Sequence, residues 1–422
     1  MTGVLMLRHR DLEPNRRVVG PRKLGGALVM GAVLVLAGCG SGSSGAAARA
    51  QAGRSAAATA STGTGHGSAQ GTPGPTEPAS IQLREIVSEP VGADTVETVA
   101  FSPNGSLLAA GAADGTVAIY PLQPSGPADV PRAQKLHGAA VTGLAWSANG
   151  TQLASVASDG SGRLSSSATL RVLASLPASP NSYPAVAWSP NGQWLALAIG
   201  RGAVQLYHAA GGSALPGAAP ARGATPRASG TAGNQQLALP QPAASVPISG
   251  FTRALAWLPS SRALLVGDGR GRLYRIDPGS PSALALPALG DHSAVNSLAV
   301  SPDGTELAVG FDDGQVLLCD PATGIAQRTL TRGRSVGALV WAPNSQVLAE
   351  TSIAFDVSLW NKQGTRLAHL SIGYDMNGIS WSPDGQELAA GSDDHTLKVW
   401  QVTPAQSASH RGNAAPASYM GR

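Results

Sequence analysis

Cysteine is nearly absent from this chain: two residues in 422, Cys39 and Cys319. That rules out a disulfide-stapled scaffold and a cysteine-built metal site. Charge is scarce too, with Asp, Glu, Lys and Arg at 13%. The formal net charge of +4 is misleading, because the first 38 residues hold six of the 29 basic residues and only two of the 25 acidic ones. The remainder is neutral, with 23 of each, so the charge is no argument for the basic patch that nucleic-acid binding needs, and no nucleic-acid partner is expected. Long apolar runs are missing as well. The longest, Leu24 to Gly38, rises ~22 Å as a helix against a hydrocarbon core of ~30 Å, too short to span it. What the chain has in quantity is small and turn-forming residues, 53 Gly and 31 Pro among them, which suggests many turns, small-residue strands and some disordered sequence.

The short apolar run follows Arg16, Arg17, Arg22 and Lys23, and small residues close it. A basic flank, a short apolar stretch and a small-residue end describe a secretory signal. Its last four residues, Leu36-Ala37-Gly38-Cys39, resemble the lipobox of bacterial lipoproteins. The resemblance implies cleavage between Gly38 and Cys39, lipid attachment at Cys39, and a protein held on the extracytoplasmic face of a membrane in the cell envelope. A signal-anchor helix, or an exported protein with a chance cysteine, is the alternative. The pair Arg16-Arg17 hints at twin-arginine export, but the rest of that motif is missing. With Cys39 modified, Cys319 has no partner and reads as a small apolar residue in a strand. Residues 1–38 are therefore expected to be a signal peptide and 39–80 a lipid-anchored flexible linker. Gly40 to Ser80 has almost no large apolar side chain and would reach ~35 Å on average as a random coil. His66 is read as a solvated residue of that linker.

One phrase recurs along the rest: an aromatic, then Ser-Pro-Asp/Asn-Gly. Its first position falls at Phe101, Trp146, Trp188, Trp257, Val300, Trp341 and Trp381, with spacings of 45, 42, 69, 43, 41 and 40 residues. The long interval equals one ordinary unit plus about 27 residues, and "AAGGSALPGAAPARGATPRASGTAG" from Ala209 fits such an insertion, placed at about 209–248. Each unit reads as strands. "VETVAFS" and "VTGLAWS" alternate, "SPNG" and "SPDG" form turns, and "LLAAG" and "ELAAG" give a second strand. "DGTVAIY", "DGQVLLC" and "DHTLKVW" turn tightly into a third, and "RVLASL", "IAQRTL" and "TRLAHL" supply a fourth. A period of 40 to 45 residues with four strands is a propeller blade.

These units resemble the WD-repeat β-propeller family over roughly residues 81–402. The fold expected is all-β, a seven-bladed propeller of four-stranded antiparallel blades, monomeric, with a disordered tail at 403–422. In that family the aromatic of the third strand is usually Trp; here the equivalents are Tyr120, Ser165, Tyr207, Ile276, Cys319, Trp360 and Trp400. The turn Asp appears as Asp114, Asp159, Asp313 and Asp394, replaced by Arg201, Arg270 and Ala354 elsewhere. The family's His precedes strand one only as His137 and His292. Seven units leave three strands after Ile379, so "IQLREIV", Ile81 to Val87, is expected to supply the outer strand of blade 7 and close the ring.

Chemistry is poorly represented. "GDGRGRLYRID" leads into a strand, where a phosphate loop would open a helix. "FDDG" and "SDDH" are fragments of a calcium loop without the rest of it. His137, His208, His292, His369 and His395 are scattered over different units, and "GRLSSS" carries no nucleophile motif. No cofactor, metal or catalytic residue is assigned. Loops before strand one and turns between strands two and three should share one rim. That rim would hold Phe311, Phe355, Tyr374 and Met376 as a partner-binding cluster, and Arg201, Arg270, Arg332 and Arg334 as an anion site. The family resemblance implies a protein or peptide partner and a non-catalytic platform. An extracytoplasmic sensor of a small anionic ligand and a propeller enzyme such as a hydrolase are the alternatives.

Overall fold

The computed structural model describes residues 81–122, 131–209, 237–238, 241–353 and 356–404. Residues 1–80, expected as signal peptide and linker, and 405–422 of the expected tail lie outside them, while Thr403 and Pro404, expected in the tail, belong to the last strand. The described residues form seven antiparallel sheets, six of four strands and one of five, arranged as a seven-bladed β-propeller. All regular elements among them are strands, and no helix is long and apolar enough to cross a membrane.

Blade 1 shows the plan. Val96–Phe101 is innermost, followed outward by Leu107–Ala112, Thr116–Pro121 and Arg132–Lys135. The other innermost strands are Val141–Trp146, Val186–Trp188, Thr252–Trp257, Val295–Val300, Val336–Trp341 and Met376–Trp381. Each ends on its unit's aromatic or its equivalent. Blade 7 is completed from the other end of the propeller: Ile81–Pro90 pairs antiparallel with Thr396–Pro404, from Ile81↔Pro404 to Pro90↔Thr396, with the register shifting by one residue between Glu85 and Val87. The expected closure is present.

The turns explain the repeated phrase. In five blades the Ser of Ser-x-Asn/Asp-Gly donates to the Asn or Asp two residues on. The same hydroxyl accepts the backbone N–H that starts strand two. Blades 4 and 6 put Ser261 and Ser345 where the others have Gly, at φ of 58° and 60°. Their side chains repay that backbone cost by reaching the preceding blade, accepting from Asn191 N–H at 3.0 Å and Asp303 N–H at 2.9 Å.

Apolar packing lies between blades. Seven clusters of buried residues form, one at each junction around the ring. Small residues in strand two allow the close approach: a Cβ on Gly310 would meet Val336 Cγ1 of the next blade at 2.6 Å. The strand-one tryptophans then tie neighbours together. Trp146, Trp257 and Trp341 donate their indole N–H to Ala100, Ala187 and Ala299 of the preceding blade, at 2.9, 3.2 and 3.1 Å. Trp188 and Trp381 are buried without that bond.

Blade 2 is regular although Ser165 replaces its aromatic. Ser165 is buried, and its strand Gly162–Ser166 pairs on both sides. The stretch expected as an insertion at about 209–248 is not all insertion. Ala244–Pro247 is the outer strand of blade 3, with Val246 fully buried, and Leu237–Ala238 adds a short parallel strand to the edge of blade 2. Its alternation is too brief to stand out among small residues.

The tryptophan ties can be tested in pairs. Trp341→Phe loses the bond to Ala299 and should destabilise the protein by about 1 kcal/mol more than Trp381→Phe, which loses ring volume and a buried indole N–H that has no acceptor. Urea denaturation of both variants beside the parent measures the difference; equal losses would show that the indole bond contributes nothing.

Candidate functional site

One rim of the disc is built by a repeated device. The tight turn between strands two and three turns its carbonyl to the loop that enters the next blade. Gly115 O accepts from His137 N–H at 3.2 Å, Gly160 O from Ser179, Gly202 O from Ile248 and Gly314 O from Gly333. His395 does the same for Val91 across the ring closure. The accepting residues all sit at positive φ, and a Cβ on Gly115 would lie 2.2 Å from His137 O. Where the turn carries Asp, its carboxylate adds a clamp. Asp114 accepts from Ala93 and Thr116 N–H, and Asp159 from Gly138 and Ser161 N–H. These bonds outweigh partial burial and hold both carboxyls below the usual range.

The family's His positions are structural. His137 is wedged between Ser161 at 2.7 Å and Ser155 at 2.8 Å. Burial pushes its pKa down to about 4, helped by Arg163 and opposed by Asp159. His292 contacts Asp313 at 3.2 Å and stacks on Phe311 with centroids 4.4 Å apart. Blade 4 lacks both signals and uses others. Asp268, at the end of strand two, accepts from Arg270 and Arg272 N–H and from the Tyr274 hydroxyl, which also meets Ser249 at 2.5 Å. The aromatic there is Tyr274, two residues before Ile276 on the same face of the strand.

Inside the rim the innermost strands of all seven blades surround a channel with a cavity of about 240 Å³. Its polar wall includes Glu97, Thr142, Arg253, Asn296 and Asn377. Arg253 Nη1 donates to Asn296 Oδ1 at 2.6 Å, and Asn377 Nδ2 donates to Val96 O and to Asp393 Oδ1. Burial pushes the Glu97 carboxyl up to about 8, reinforced by Asp393 and then Asp94. The channel wall thus presents a carboxyl biased towards its protonated form beside amide groups. Among the described residues no three His, Cys, Asp or Glu converge on one metal-sized site.

The expected aromatic cluster is not assembled. Phe311 and Met376 are fully buried and are corrected from surface to core. Phe311 ends strand two on the face that packs between blades 4 and 5. Met376 starts strand one where other blades carry the buried Val96, Val141, Val295 and Val336, a match visible in the sequence. Tyr374 is on the rim and 50% exposed, and Phe355 lies outside the described residues. Phe251, 63% exposed, is a rim aromatic that the sequence reading missed. Its signal was a bulky residue just before strand one, where five of the other six units have Thr95, Ala140, Ala294, Ser335 and Asp375.

The arginines do not gather either. Arg201 and Arg270 are exposed in the turns of blades 3 and 4, while Arg334 lies before blade 6 and lines a separate cleft there. The backbone of Arg332 closes the outer strand of blade 5. Cys319 is a buried free thiol, pushed up to about 12 by burial and by Glu306 and Asp320, as fits a packing residue.

Four segments, 85–120, 132–164, 286–320 and 360–401, match the family model for the WD domain, G-beta repeat (WD40). They fall on blades 1, 2, 5 and 7. Over 154 residues the chain is 31% identical to the Cross-pathway control WD-repeat protein 2 of Flammulina velutipes. That match covers 34% of this chain and 49% of the relative, so the chain spans about half the length of the curated relative it matches. The four matched segments are thus similar to WD40 repeats, and the blades outside them are those whose turn Asp has been replaced.

Two buried groups give opposite responses to pH. His137 stays neutral when folded while the unfolded chain protonates near 6.5, so its contribution is present above 6.5 and lost as pH falls towards 4. Glu97 keeps its proton when folded, so its contribution is full below 4.5 and lost as pH rises through 8. His137→Gln should flatten the acid limb of the thermal midpoint against pH, and Glu97→Gln the alkaline limb. A limb unchanged in its variant would assign that limb to other groups.

Proposed function

We propose that this protein is a non-catalytic platform that binds a protein or peptide partner on the rim. The observation that carries the reading is the pair of large aromatic side chains, Phe251 and Tyr374, exposed on that rim beside a polar, mostly self-bonded channel. Exposed aromatics at the edge of a rigid surface are the residue type that anchors protein interfaces. The WD40 match supports the same reading, since propellers of that kind generally bind proteins. Cys39, at the end of a short apolar run and followed by a polar linker, supports a lipid-anchored form displayed on the extracytoplasmic face of a cell envelope. Two or more acyl chains would make that anchoring stable.

The partner test uses the full-length chain as bait on an extract of its source cell, beside a Phe251→Ala/Tyr374→Ala variant. A protein retained by the parent and lost by the variant, at an unchanged melting temperature, supports the platform. Equal retention moves the interface elsewhere. For the anchor, Cys39→Ser should abolish metabolic labelling by a radioactive fatty acid and shift the chain from the detergent to the aqueous phase. Labelling that survives the change removes Cys39 as the attachment site.

A further inference from the structure

Blade 6 breaks the repeat at one buried position. The residue of strand two that pairs with the third-from-last residue of strand one is Ala110, Ser155, Leu197, Val266, Val309 and Ala390 in the other six blades. In blade 6 it is Glu350, opposite Leu339. Glu350 is only 6% exposed. One carboxylate oxygen, Oε2, accepts the Trp360 indole N–H at 2.7 Å. Among the described residues no second donor reaches this carboxyl. It belongs to the wall of a cleft of about 220 Å³.

The cleft carries both signs of charge. Asp356 and Glu350 supply carboxyls, Arg334 and Arg366 supply guanidiniums, and Trp360 and His369 complete the walls. The walls are partly fixed: His369 lies 3.6 Å from Asp356 through Nε2 and 3.3 Å from Ser358 through Nδ1. Burial raises the Glu350 carboxyl to about 7, opposed by Trp360, raised further by Asp356 and lowered by Arg366. A buried acid with an unused oxygen is costly to keep unless something donates to it. A simple cation would enter against two guanidiniums, and a simple anion against two carboxyls. A small molecule with both charges a few bonds apart meets neither objection.

We propose that this cleft binds a free α-amino acid. Its ammonium would meet Glu350 and Asp356 and its carboxylate the arginines, with the side chain against Trp360. The cleft reaches the same rim through Arg334, Ser352 and Asp356, but the proposal does not depend on the partner-binding reading.

The test is calorimetric titration of the purified full-length chain with each of the twenty common free amino acids, up to about 5 mM, well above the ~1 mM of a weak site. At least one should bind saturably with one-site stoichiometry. Its decarboxylated amine and its N-acetyl derivative should each lose tenfold or more in affinity, because each lacks one charge. Glu350→Gln and, independently, the exposed Arg366→Ala should reduce binding by a similar factor, while Arg270→Ala on blade 4 should not. Because Glu350→Gln alters a buried position, its melting temperature is read first, and Arg366→Ala decides if it unfolds. Saturable binding of none of the twenty would overturn the proposal. So would an amine or N-acetyl form that binds as well as its parent, or binding unaffected by Arg366→Ala.

Discussion

Everything in this propeller depends on one pairing, that of Ile81–Pro90 with Thr396–Pro404. The molecule has no central core to fall back on. Its apolar contacts are divided among seven junctions, each between two blades, and the junction between blades 7 and 1 draws Val87 of the closing strand against Leu397, Val399 and Val96. Without that strand, blade 7 would expose an unpaired edge, and the first and last blades would be joined only through their inner strands. The closure converts a row of similar sheets into a ring in which every junction is supported from both sides.

Within the ring, repetition and departure divide the work. The Ser-x-Asn/Asp-Gly turns, the positive-φ turn residues and the strand-one tryptophans set the spacing between blades on the two faces. Positions that keep the pattern are occupied by the scaffold. Positions that break it are where the surface acquires character: Phe251 before strand one of blade 4, Arg253 in the channel and Glu350 in blade 6. Lys362 shows a departure put to structural use. It reaches from blade 6 to Asp303 at 2.7 Å and Thr305 at 2.9 Å in blade 5, bridging two turns by charge where most junctions use packing.

Much of the fold was legible because its causes are local. The aromatic phrase marks the end of strand one in all seven blades, and the spare strand before Phe101 revealed the closure. The outer strand of blade 3 was hidden because four residues, Ala244–Pro247, follow a long run of small residues that offers no period. The site was less legible because exposure is decided by neighbours. Phe311 looks like a rim residue in sequence and its register places it in the core, while Met376 could have been matched to the buried valines that start strand one in other blades. Tyr274 was passed over since its hydroxyl reaches Asp268 from a position two residues early. Glu350 gave no signal by itself; its meaning comes from the apolar or small residues that the other blades hold at that place.

The closing strand also has a direction. Ile81 lies by the Ser-x-Asn/Asp-Gly turns, where it shares a groove with Asn344 and Gly385, while the other end of the strand runs to Val91, bonded to His395 on the opposite rim. The chain therefore enters the disc on the face away from Phe251 and Tyr374. A mechanical pull on whatever precedes Ile81 would run along the closing strand and slide it past its partner. The backbone bonds of the pairing would then share the force in shear, where a sideways pull would peel them one by one. The latch that closes the ring is thus oriented to withstand tension from behind while the rim faces forward.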